Sequence, residues 1–147
     1  MAEFFINNFW AIAAGILGSA FVGYIAYWNN RKNRTAEAAI KFRNKILTEL
    51  EGLYPVTHYW DKNIFPRFYV SIPKIESAAI EFRHYVFHKT AFDSAVKVYC
   101  EYCKNITWNK VSAYAMYKDS MYKPDDKGPR EKFKHIVESL LSFAKEK

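Results

Sequence analysis

The residues in this chain best suited to chemistry are two histidines and two cysteines. His84 and His88 stand four apart, Cys100 and Cys103 form a C-x-x-C pair, and all four fall in a 20-residue window. Imidazole nitrogen and thiolate sulfur are the ordinary ligands of zinc, each about 2.0–2.3 Å from the ion. A metal site at His84, His88, Cys100 and Cys103 is therefore the sharpest candidate. Its spacing argues against it. If the segment is a helical hairpin turning near Thr90-Ala91, His88 lies level with Asp93, ten positions before Cys103. At 1.5 Å per residue that is an offset of roughly 15 Å. The faces disagree as well. Cys100 and Cys103 share a stripe with Val96, while His84 and His88 lie opposite the apolar stripe Ile75, Ala78, Ala79, Phe82 and Val86. Free cysteine is among the most buried residue types. The expectation is two core thiols and a solvated histidine pair, with no metal and no cofactor.

A redox C-x-x-C needs a thiol pKa lowered at a helix N-terminus. With Asp93 as the expected N-cap and Phe92 before it, Cys100 lies two turns in, where the dipole helps little. No G-x-S-x-G, P-loop or H-E-x-x-H pattern occurs, and His58, Asp61 and His135 are isolated in sequence. No catalytic residue is assigned.

The element that organises the rest is Phe9 to Trp28, FWAIAAGILGSAFVGYIAYW, 20 residues without a charge. As a helix it is about 30 Å long, the thickness of a bilayer's hydrocarbon core. Trp10 marks one end and Tyr24, Tyr27 and Trp28 the other, as interfacial aromatics do. The leading MAEFFINN has no Lys or Arg, and the apolar core is too long for a cleaved signal peptide. The organisation expected is residues 1–8 outside the cytoplasm, a transmembrane helix at 9–28, a basic connector at 29–35 and a cytoplasmic helical domain at 36–147. Ala11, Gly15, Ser19 and Gly23 recur every four positions along the span, a small-residue seam suited to close helix–helix contact. The simplest partner is a second copy, and a different helix would fit equally.

All 22 Lys and Arg follow residue 28 against 14 of the 15 acids, a net +8. Arg31, Lys32 and Arg34 flank the span on one side only, so the positive-inside rule places the C-terminal domain in the cytoplasm. There the cysteines stay reduced, and the sequons at Asn33 and Asn105 are chance. The charge suits an anionic partner, and beside a membrane anchor that is phospholipid headgroups rather than nucleic acid.

The domain reads as all-α, a bundle of about four helices. Ala39, Phe42 or Arg43, Ile46, Leu47, Leu50 and Leu53 keep helical spacing up to Gly52 and Pro55. Tyr54 to Ile72 reads as an aromatic loop with one turn near His58–Asn63, its rings packed as lids over the bundle or forming a ligand platform. Pro73 opens a helix to about His88, and the next runs from Asp93 to about Thr107. A short helix spans Lys110–Tyr117 before the loop ending in KPDDKG. Gly128-Pro129 opens the last helix, with Phe133, Ile136, Val137, Leu140, Leu141 and Ala144 as its stripe.

The segments FRNKILTELEGLYP, IPKIESAAIEFR, YCEYCKNITW and EKFKHIVESLLSFA together resemble a group of small single-span bacterial membrane proteins of no known activity. The resemblance implies an inner-membrane protein and no reaction. Two functions follow as expectations. One is a membrane-anchored basic interaction or scaffold domain. The alternative is a ligand- or metal-binding domain using the 54–72 aromatic stretch and the His/Cys window.

Overall fold

The computed structural model describes the backbone of residues 2–56, 60–121 and 128–145, and the side chains of 15–56, 60–116 and 128–145. Among these residues the chain is all-helical: α1 (Ala2–Glu49), α2 (Phe65–Phe82), α3 (Lys89–Asn105), α4 (Trp108–Met121) and α5 (Pro129–Ser142). It divides into two compact units, Met1–Glu37 and Ala38–Lys147.

The first unit is helix from Ala2 onward. No Gly or Pro interrupts Asn29–Thr35, so the connector is helical, and Thr35 Oγ1 donates back to the Arg31 carbonyl at 3.0 Å. Every side chain from Gly15 to Thr35 is exposed. Among the described residues no helix is long and apolar enough to cross a membrane. The side chains of residues 1–14, which include Ala11 and the first six positions of the 9–28 stretch, lie outside that description.

The second unit starts with the last turns of α1. Ala39, Phe42 and Ile46 are buried, and Leu50 and Leu53 continue the stripe into the turn. Gly52 adopts φ +80°, the left-handed cap that glycine takes without a Cβ penalty. The helix ends there as its sequence requires.

The 54–72 stretch departs from expectation. Asp61 Oδ1 accepts the Lys62 N–H at 2.6 Å, a 3-10 turn covers Lys62–Ile64, and α2 is already under way at Phe65. Pro66 sits in the first turn, where its missing N–H costs nothing. Pro73 lies inside α2 rather than opening it. An interior proline costs about 3 kcal/mol. Burying Phe68 and Ile72 on the stripe that Ile75, Ala79 and Phe82 continue returns roughly 1.5–3 kcal/mol each, so one unbroken helix wins. Trp60 and Phe68 are core residues, not lids.

α2 also stops earlier than expected, at Phe82. A 3-10 turn, Arg83–Tyr85, and an extended Val86 precede α3 at Lys89. Asp93 is not its N-cap. That carboxylate takes a two-pronged bond from Arg83, Nε to Oδ1 at 2.7 Å and Nη2 to Oδ2 at 2.8 Å. A forked charge-assisted pair outcompetes a single cap bond. α4 reaches Met121, beyond the Lys110–Tyr117 expected. Residues 122–127, most of the KPDDKG loop, and 57–59, with His58, lie outside the described residues. α5 buries Phe133, Val137, Leu140 and Leu141 of the stripe read from sequence, Ile136 is half-buried, and Ala144 is buried just past the helix end.

Among the described residues the second unit packs five helical segments, the four main helices expected and the shorter α4. Lys41–Glu81 at 2.7 Å and Lys74–Glu49 at 2.6 Å set the end of α1 antiparallel to α2. Tyr69 Oη donating to the Lys104 carbonyl at 2.7 Å, with Arg83–Asp93 at the other end, sets α2 antiparallel to α3. Tyr102 Oη donates to the Pro129 carbonyl between α3 and α5. The high aromatic content fills this core in two clusters. Trp60, Phe68 and Phe133 meet edge-on at 5.1–5.5 Å. Phe42 stacks on Phe82 at 4.6 Å, with Phe92 against both. Such pairs add about 0.5–1.5 kcal/mol beyond their burial.

Candidate functional site

The C-x-x-C pair lies in the middle of α3, where helical spacing turns both thiols inward. Cys100 and Cys103 are buried and free. Cys100 Sγ donates to Glu76 Oε1 on α2 at 3.3 Å. Burial, and then the Glu76 carboxylate, push the Cys100 thiol up to about 11. Burial pushes Cys103 up to about 12. The nucleophile and metal ligand is the thiolate, so at neutral pH both groups are inert thiols. Nearby, Ser71 is the one buried polar residue that the core carries among the described residues. Its Oγ lies 2.7 Å from the Phe68 carbonyl and 2.6 Å from Tyr99 Oη. Burial raises the Tyr99 pKa further still, so the phenol stays protonated. Ser71 and Tyr99 satisfy each other, which a core requires of its polar atoms. This is a structural network within the core.

The histidines go elsewhere. His84 is exposed on the 3-10 turn after α2, and His88 is exposed at the start of α3 with its ring 4.8 Å from that of Phe87. Histidines outside and cysteines inside agree with the sequence reading. Among the described residues no group of three or more His, Cys, Asp or Glu is placed to hold a metal ion.

Within the described part of the 54–72 stretch Trp60 and Phe68 are drawn into the core, while Tyr69 donates to the Lys104 carbonyl. A cleft of about 250 Å³ lies between α4 and α5, lined by Val111, Tyr114, Ala115 and Gly128 to Glu131. Its described lining includes one acidic and one basic side chain, Glu131 and Arg130, and the Tyr114 phenol.

Two features remain outward-facing. Arg31, Lys32 and Arg34 are all exposed. Gly15, Gly18 and Gly23 have nothing within 4 Å of where a Cβ would stand. The Ser19 hydroxyl, a candidate to bond across a helix pair, donates to the Ile16 carbonyl of its own helix at 2.9 Å.

Sequence reasoning missed the Arg83–Asp93 fork and the Ser71–Tyr99 pair, because both join residues that only the antiparallel packing of α2 on α3 brings together. It also passed over Phe87, which is 90 % exposed. The signal available was an aromatic beside Val86, the last residue of the α2 stripe, pointing away from it. No protein-family model, curated protein or solved structure matches the chain, so the resemblance to single-span bacterial membrane proteins rests on its four sequence segments alone.

Proposed function

We propose that the chain is a single-span membrane protein, with residues 9–28 in the bilayer and its basic helical domain serving as an interaction or scaffold module at the cytoplasmic face. The observation that carries this reading is the exposure of large apolar side chains around the first half of α1. Ile16 and Leu17 are 63 % and 70 % exposed, and Phe21, Val22 and Ile25 are exposed as well. At 100° per residue these five spread over about 240° of the helix, and Gly15, Ser19, Gly23 and Ala26 fill the rest. No polar stripe is left to face water. Leaving five such side chains wet forgoes on the order of 10 kcal/mol, comparable with the whole net stability of a domain. A lipid environment covers them, and a helix satisfies its own backbone there.

The other features fit the same arrangement. Arg31, Lys32 and Arg34 take the cytoplasmic flank and meet anionic headgroups. The small-residue seam offers a second copy of the helix close approach. The buried thiols, held protonated, favour an interaction role over thiolate chemistry. The test is topological. A reporter fused after Lys147 is expected to behave as cytoplasmic, and phosphatase activity on the far side of the membrane would overturn the orientation.

A further inference from the structure

We propose that the Val86–His88 corner, led by Phe87, inserts into the lipid headgroup region and docks the helical domain on an anionic membrane surface. The inference rests on the membrane-anchored reading and adds the surface by which the domain meets the bilayer. Phe87 is 90 % exposed, while the nearest phenylalanines on either side in the chain, Phe82 and Phe92, are buried. An aromatic ring left almost wholly in water is a loss that a membrane interface recovers. Its place in the fold matters equally. Lys41 pairs with Glu81, and Glu49 with Lys74, so the corner that follows α2 lies at the end of the bundle where α1 joins it, near Ala38. Nine residues, 29–37, lie between Trp28 and Ala38, so the chain keeps the two at most about 36 Å apart even when fully extended. The charge around the ring suits anionic lipid. Lys41 and Arg83 are matched by Glu81 and Asp93, while Lys89, His84 and His88 are exposed beside Phe87. Lys89 also feels Asp93, so the surplus is modest and hydrophobic insertion leads the binding.

The test uses the full chain reconstituted in vesicles of mixed phosphatidylcholine and phosphatidylserine. Phe87→Cys is labelled with an environment-sensitive fluorophore, and Val70→Cys serves as the control. Val70 is 57 % exposed and lies about 20 Å or more along α2 from the corner. The buried Cys100 and Cys103 leave the new thiol as the accessible one, and the parent protein gives the labelling background. In protein that floats with the vesicles, the label at 87 is expected to shift to the blue and to be quenched several-fold more by lipid-borne nitroxide than the label at 70. Equal, water-like signals from both positions in floated protein would overturn the docking while leaving the anchor standing. Failure of the parent chain to float would overturn both.

Discussion

Between Ala38 and Glu49, α1 buries Ala39, Phe42 and Ile46; between Gly15 and Thr35 it buries nothing. The backbone is one helix throughout. The difference lies in how apolar residues are distributed. In the later part they keep one stripe at helical spacing, and Arg43, Lys41 and Lys45 take the exposed side. From Gly15 to Trp28 large apolar residues spread over about 240° of the helix and small ones fill the rest. A stripe can be covered by neighbouring helices of the same chain, and an all-round apolar helix cannot. The two stretches thus call for different surroundings, a protein core for one and, on the reading proposed above, lipid for the other.

The largest effect that separates them comes from phenylalanine truncation. Phe42→Ala removes a ring stacked on Phe82 and is expected to destabilise the domain by about 3–5 kcal/mol. Phe21→Ala, in the exposed stretch, should leave domain unfolding unchanged. Denaturant unfolding of the full chain in detergent checks both, and similar losses would erase the distinction.

The cysteines sharpen the comparison chemically. Cys103→Ser buries a hydroxyl and should cost about 1–3 kcal/mol. In the native protein maleimide should react slowly with both thiols and rapidly once denaturant is added. Their folded pKa values of about 11 and about 12 lie above the ordinary 9.0 of an unfolded thiol. The stability linked to them is therefore complete below about pH 9 and falls as pH rises through 11 and 12. A pH titration of unfolding that stays flat across this alkaline range would show that the thiols are not buried as described.

Glycines offer a finer contrast. A Cβ on Gly128 would stand 2.5 Å from the Tyr114 ring, between α4 and α5. Gly128→Ala should cost about 1–3 kcal/mol, as overpacking does. Gly18→Ala meets nothing within 4 Å and should leave the domain's stability unaltered. Thermal unfolding of both variants decides. The smallest effect is expected at the seam. Gly23→Ile should weaken self-association in a membrane two-hybrid assay while Leu17→Ile does not, and equal signals would remove the seam as an interface.

Much of this architecture was legible from residue spacing. The α5 stripe, the buried C-x-x-C, the outward histidines and the Gly52 stop each follow from side chains three and four apart or from one backbone requirement. Tyr54 to Ile72 was not legible, because two prolines look like breaks when read locally. Their cost is set by position and by what the helix buries, and Phe68 and Ile72 find partners only in the folded bundle. Asp93 misled for a similar reason. Its spacing suits a helix cap, but Arg83 claims it after α2 and α3 pack together. Of the candidate site, the faces were legible: helical spacing put His84 and His88 outward and Cys100 and Cys103 inward. Phe87 was hidden because a single exposed ring carries no periodic signal.

The central claim is that residues 9–28 cross a bilayer. Its most direct test is extraction of native membranes carrying the full chain, washed at high salt and alkaline pH. Salt screens headgroup contacts within a few ångströms, so only a helix embedded in hydrocarbon keeps the protein in place. The chain is expected to remain wholly in the membrane pellet and to leave it only with detergent. Release of the intact chain into the wash would contradict a spanning helix.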